Sequence, residues 1–193
     1  MKSEKEKALN GELYDANYDP ELIAERDICK DLCFKYNNTH PSEKKEREEL
    51  IRSLFGKTGS VFSIEPPLYC DYGYNIEIGN NFFANMNCVM LDGAKITFGD
   101  NVFIAPGCGF YTATHPLDVE QRNKGLEYAY PITIGNNVWI GAQSIILPGV
   151  SIGDNTVIGA GSVVTKDIPA NVIAVGNPCR VIKKIEKVLN NND

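Results

Sequence analysis

Apolar positions follow two different periods along the chain, and the change falls near residue 56. Before it, Asp19 followed by Pro20 predicts a capped helix start. Leu22, Ile23, Ile28, Cys29, Leu32, Cys33 and Tyr36 then recur near the 3.6-residue period of an amphipathic helix. The run NNTHP at 37–41 breaks this pattern. Ser42 is the expected cap of a further helix, whose Leu50, Ile51, Leu54 and Phe55 share one face until Gly56 ends it.

After residue 56 the period becomes six. Ile134, Ile140, Ile146, Ile152, Ile158 and Val164 are evenly spaced and all β-branched, and Gly follows Ile134, Ile140, Ile152 and Ile158. Val138, Ser144, Val150, Thr156, Ser162 and Ile168 stand four residues after each aliphatic. The same beat runs earlier through Ile78, Ala84 and Met90, then Phe98, Ile104 and Phe110, with an eight-residue step after Met90 that predicts a two-residue bulge. A period of six fits neither an α-helix nor an alternating hairpin sheet. It fits a parallel solenoid whose coil has three short faces, with aliphatics pointing inward and Gly and Asn at the corners, where positive φ is expected. The period does not show the hand of the coil. Val181, Ile182, Ile185, Val188 and Leu189 have helical spacing, so a C-terminal helix over 181–193 is expected to close one end, with the N-terminal helices at the other. The expected units are a helical segment at 1–56, a β-helix at 57–180 and this C-terminal tail.

Charge sharpens the division. Residues 1–56 hold 23 of the 44 acidic and basic side chains, so the helices present solvated faces and the coils are sparsely charged. A net charge of -6 argues against nucleic acid as a partner. No long uncharged apolar run predicts a membrane span, and no apolar stretch near Met1 predicts export, so a cytoplasmic protein with reduced cysteines is expected. Cys29 and Cys33 lie one helical turn apart, but no second pair or His cluster completes a zinc site, so no metal is expected.

One long polar insertion, at 113–131, interrupts the coils and should project from the scaffold. His115 opens it and is one of only two histidines, the other being His40 in the helical part. An imidazole there suits a general base near neutral pH, with Asp118 or Glu127 available to orient its second nitrogen. Trp139, just before a repeat aliphatic, should point outward. Lys166, Arg180 and Lys183 form a group of cations late in the solenoid, a chemistry suited to phosphates.

The segments CDYGYNI (70–76), GNNFFAN (79–85), YTATHP (111–116), PITIGNNVWIG (131–141) and VGNPCRVI (175–182), with the N-terminal EKEK and GELY, resemble the maltose and galactoside O-acetyltransferases of the hexapeptide-repeat transferase family. The resemblance implies a left-handed β-helix, a homotrimer with its site between subunits, and acetyl transfer from acetyl-CoA to a sugar hydroxyl. It implies His115 as general base and Asn85 as a donor that stabilises the transition state. It places Asp71, Asn85, Asp92 and either Asp15 or Asn17 at the acceptor, and Ala142, Ala160, Thr165, Lys166, Arg180 and Lys183 at the cofactor; by their positions Glu127 is added as an acceptor candidate and Trp139 as a cofactor candidate. Gly93 stands where galactoside enzymes carry an acid, and Phe83 where they carry Tyr, which favours maltose or glucose. A galactoside acceptor and a non-catalytic trimeric scaffold are the alternatives. A β-helical carbonic anhydrase would need three histidines per zinc, which this chain lacks.

Overall fold

The computed structural model describes residues 2–186. Helix α1 (Glu4–Leu9) starts with a reciprocal capping box between Ser3 and Glu6. Helix α2 (Pro20–Asn38) starts where expected, with the Asp19 carboxylate accepting the Leu22 N–H. Helix α3 (Lys44–Leu54) begins two residues after Ser42, whose hydroxyl is engaged with the His40 ring rather than with the helix. Leu50, Ile51, Leu54 and Phe55 all join the main core, so α3 covers the first coil of the solenoid.

The solenoid has about six turns of parallel strands and is consistent with a left-handed hexapeptide-repeat β-helix. Face one carries Phe62–Ile64, Phe82–Ala84, Phe103–Ile104, Trp139–Ile140, Val157–Ile158 and Val172–Val175. Face two carries Leu68–Cys70, Cys88–Leu91, Gly109–Tyr111, Ile145–Ile146 and Val163–Val164. Face three carries Ile76–Ile78, Ile96–Phe98, Ile132–Ile134 and Ser151–Ile152. The chain visits the faces in that order in each coil.

Register stacks like residues into inward ladders. Ile64, Ala84, Ile104, Ile140, Ile158 and Ala174 form one, and Cys70, Met90, Phe110, Ile146 and Val164 another. One coil cannot bury its own interior, but a stack does, at about 25 cal/mol per Å² of apolar surface. The outward columns differ. Face three shows Glu77, Thr97, Thr133 and Ser151, whereas face one begins with Ser63 and continues with Phe83, Phe103, Trp139, Val157 and Ile173. Face two shows Tyr69, Val89, Ile145 and Val163.

The corners divide their work between two residue types. Asn81, Asn101, Asn137, Asn155 and Asn171 all adopt left-handed φ of 54–60°. From Asn81 to Asn155 each amide donates to the next one along the stack, ending on Asn171, which offsets the cost of that backbone in a non-glycine residue. The glycines after the repeat aliphatics do something else. A Cβ on Gly79 would lie 2.5 Å from the Gly99 carbonyl, and one on Gly99 would lie 2.9 Å from Gly135. They let successive coils touch. Gly99→Ala is therefore expected to cost about 1–3 kcal/mol by overpacking, read as a lower thermal midpoint; an unchanged midpoint would mean the coils have room to spare there.

The C-terminus departs from the sequence pattern. Arg180–Lys184 is a strand, not a helix, and pairs antiparallel with Val172–Val175. With only about five residues, alternating and helical apolar patterns are hard to tell apart, and an open sheet edge takes up the segment. The remainder of the expected helix, from residue 187, lies outside the described residues.

Candidate functional site

The insertion is anchored at both ends by antiparallel pairing. Ala113–Thr114 pairs with Leu126–Ala129, and Leu126–Ala129 pairs in turn with Tyr14–Asp15 from the N-terminal segment. This small sheet fixes His115 at the corner between faces two and three. The His115 Nδ1 lies 3.2 Å from the Leu126 carbonyl oxygen, which can only accept, so Nδ1 carries the proton and Nε2 is left as the basic nitrogen. The side chain is half exposed and within reach of a small molecule. Glu127 Oε1 lies 3.9 Å from Nε2. It therefore sits beside the basic nitrogen, while the backbone carbonyl does the orienting. Asp118 does not orient the ring: it caps the short helix α4 (Val119–Asn123) by accepting the Gln121 N–H at 2.8 Å.

Behind Glu127 lies a residue that sequence reasoning missed. Tyr14 is buried and donates from its hydroxyl to Glu127 at 3.2 Å. Burial, with the Glu127 charge, pushes its phenol well above the ordinary range, so it stays a donor at neutral pH. A Tyr three residues after a helix-ending Gly carries no distinguishing signal; only the long-range pairing to the insertion places it here.

Asp71 follows the face-two strand Leu68–Cys70 at the same corner. Burial first, and the Asp92 carboxylate second, raise its carboxyl to about 6. Ionising Asp71 thus costs stability, fully above pH 6 and not at all below its ordinary 3.8. Asp71→Asn is expected to raise unfolding free energy by up to about 3 kcal/mol at pH 8 and to change little at pH 3.5. Denaturant titrations at the two pH values would check this; an equal effect at both would remove the buried charge as its cause.

Asp92 sits in the predicted bulge, but it is not offered to a ligand. It is wholly buried and accepts the backbone N–H groups of Asp71 at 3.0 Å and Tyr72 at 2.8 Å, while Asn75 bonds its carbonyl at 2.7 Å. It holds the turn that carries Asp71, so any part it takes in recognising an acceptor is indirect. Asn17 is exposed and ties the N-terminal segment to the insertion through the Gly125 carbonyl at 2.6 Å.

Asn85 is elsewhere. It follows the face-one strand Phe82–Ala84 and so lies at the corner between faces one and two. Its Oδ1 accepts the Met86 N–H at 2.9 Å, which leaves the amide nitrogen as the group to offer. Ala142 and Ala160 follow face-one strands at that same corner, and Trp139 stands outward and exposed on face one beside it. Thr165 and Lys166 follow the face-two strand Val163–Val164, so they share the corner of His115. Arg180 and Lys183 belong to the added strand on face one. The three cations therefore do not share one corner. One chain thus places an imidazole with carboxylates at one corner, and an amide with small residues and an indole at another.

Comparison with known proteins adds independent information. The profile described as the maltose acetyltransferase hexapeptide capping motif matches residues 7–59, and the bacterial transferase hexapeptide profile matches residues 131–166. The chain is similar to a crystal structure of a maltose O-acetyltransferase from Clostridium difficile 630, with 57% identity, TM-score 0.94, and coverage of 96% of this chain and 99% of that one. It is similar to a galactoside acetyltransferase in complex with coenzyme A, at 48% identity and TM-score 0.92, covering 96% and 92%. It is also similar to the hexapeptide-repeat acetyltransferase VCA0836 of Vibrio cholerae O1 biovar eltor, complexed with acetyl coenzyme A, at 40% identity and TM-score 0.89, covering 96% and 100%.

Proposed function

We infer the activity from kinship first: this chain belongs to the maltose and galactoside acetyltransferase group of the hexapeptide-repeat transferases, and it is an acetyl-CoA-dependent acetyltransferase. In our reading the acceptor is a hydroxyl of maltose, glucose or a related sugar. The His115 Nε2 takes the hydroxyl proton as the acceptor oxygen attacks the thioester carbonyl carbon. Asn85 donates to the oxyanion that develops. The intermediate collapses, the C–S bond breaks, and the coenzyme A thiolate leaves with the proton from His115. No covalent enzyme intermediate and no metal is required, because two bound reactants gain from proximity alone. The observation that carries this reading is the anchored ring of His115, with Nδ1 committed to Leu126 and Glu127 beside Nε2.

Asp71, Glu127 and Asn17 are proposed to hold the acceptor, with Asp92 acting through the turn. Trp139, Ala142, Ala160, Thr165, Lys166, Arg180 and Lys183 are proposed to hold the donor, the alanines through backbone groups and the cations through phosphates. The active form is proposed to be a homotrimer. Two features support it: Asn85 and His115 lie at different corners of one prism, and the outward columns of faces one and two are mostly apolar. A cytoplasmic location is part of the same reading; among the described residues no helix is long and apolar enough to cross a membrane.

A galactoside acceptor is the second reading, kept by the 48% identity to the galactoside enzyme. Residue 93 disfavours it. A Cβ on Gly93 would already stand 3.1 Å from the Tyr14 hydroxyl and 3.4 Å from Ala129, so an acid there would need Tyr14 to move. The test is a panel of maltose, glucose, other hexoses and a thiogalactoside with acetyl-CoA, read by thiol release and product mass. Acetylated maltose or glucose as the best product is expected; preference for the galactoside would reverse the assignment, and no thiol release with any sugar would end it.

A further inference from the structure

Three cysteines that lie far apart in sequence converge outside the site just described. Cys29 and Cys33 occupy one face of α2, and the face-two strand Leu68–Cys70 brings Cys70 against them. The sulfurs of Cys33 and Cys70 are 3.6 Å apart, those of Cys29 and Cys70 are 3.9 Å apart, and all three fall within 4.8 Å of one another. All three are buried free thiols. Among the described residues no other group of three metal-ligating side chains converges in this way.

We propose that Cys29, Cys33 and Cys70 form a binding site for one thiophilic d¹⁰ metal ion. The geometry carries the argument. Metal–thiolate bonds of about 2.3 Å place three sulfurs about 3.8–4.0 Å apart in tetrahedral or trigonal arrangements, and the two closest pairs here need to move only a few tenths of an ångström. Soft thiolates with no oxygen or nitrogen donor select zinc, cadmium or cuprous ions over magnesium or calcium. A cavity of about 570 Å³ opens onto Cys33 and Cys70, lined also by Lys30, Asp31, Phe34 and Tyr69. It supplies an entry path and room for a water as fourth ligand to zinc, while a cuprous ion would need none. Three thiols releasing three protons to a divalent ion leave one net negative charge at the site.

A bound ion would tie α2 to the strand that ends one residue before Asp71. It would thereby staple the helical segment to the acceptor corner without entering the reaction.

The test is titration of the full chain, held reduced with a phosphine, using Cd(II), Zn(II) and Cu(I) in separate arms. One equivalent per chain with sulfur-to-cadmium charge-transfer absorption is expected. Cys33→Ser and Cys70→Ser should each weaken binding by more than about 100-fold, beyond the about 10–100-fold that losing an outer-shell partner costs. Cys179→Ser should leave it unchanged. X-ray absorption on the wild-type zinc form should count three sulfurs at about 2.3 Å, and this readout does not depend on the variants folding. Binding that survives Cys33→Ser with Cys70→Ser, fewer than three sulfurs, or no stoichiometric binding in any arm would overturn the proposal.

Discussion

His115→Ala is expected to lower turnover with acetyl-CoA and sugar by about 10²–10⁴-fold, the usual worth of a positioned general base. The half-exposed ring donates one hydrogen bond to a backbone carbonyl, and its other nitrogen faces Glu127 across 3.9 Å. Removing it frees only the Leu126 carbonyl, and Leu126 is partly exposed, so water can take the place of the ring. Folding, oligomeric state and coenzyme binding should persist while the chemical step slows. The checks are turnover, thermal midpoint and coenzyme affinity measured on one preparation. Turnover near wild type would remove His115 from the role of base, and a collapsed midpoint would give it a structural one.

Asn85→Ala should be the second large loss. One amide aimed at a developing oxyanion is worth about 2.7–4 kcal/mol, or about 10²–10³ in turnover, with little change in ground-state binding. The Met86 N–H would lose its acceptor, but at a partly exposed corner where water replaces it. A fall in turnover at constant KM is the expected signature. A rise in KM alone would make Asn85 a binding contact, and a lowered midpoint without kinetic change would make it a corner residue only.

The solenoid was legible because its inward ladders repeat on a strict period, and each β-branched hexad position from Ile134 to Val164 is buried. The Asn corners and the outward Trp139 followed from the same count. The C-terminal strand was not, since Val181, Ile182 and Ile185 suit a helix as well as an edge strand until Val172–Val175 is there to pair with. The glycines were read as flexible turns, but at Gly79 and Gly99 the cause is contact between coils, which no single repeat displays. The place of His115 at the root of the one long insertion was legible. The contribution of Tyr14, the burial of Asp92 and the approach of Cys70 to Cys29 and Cys33 all depend on pairings across the fold, and local pattern does not encode them.

Mixing two inactive chains tests the account most directly. His115→Ala and Asn85→Ala subunits, denatured together and refolded, would form hybrids of the proposed trimer. If each site takes its imidazole from one copy and its amide from the next, about one quarter of the interfaces regain both native groups in random closed assemblies. Activity near one quarter of wild type, far above either variant alone, is the predicted result. Activity no higher than the sum of the two separate variants, in trimers shown by mass to be mixed, would contradict a site built between corners of neighbouring chains.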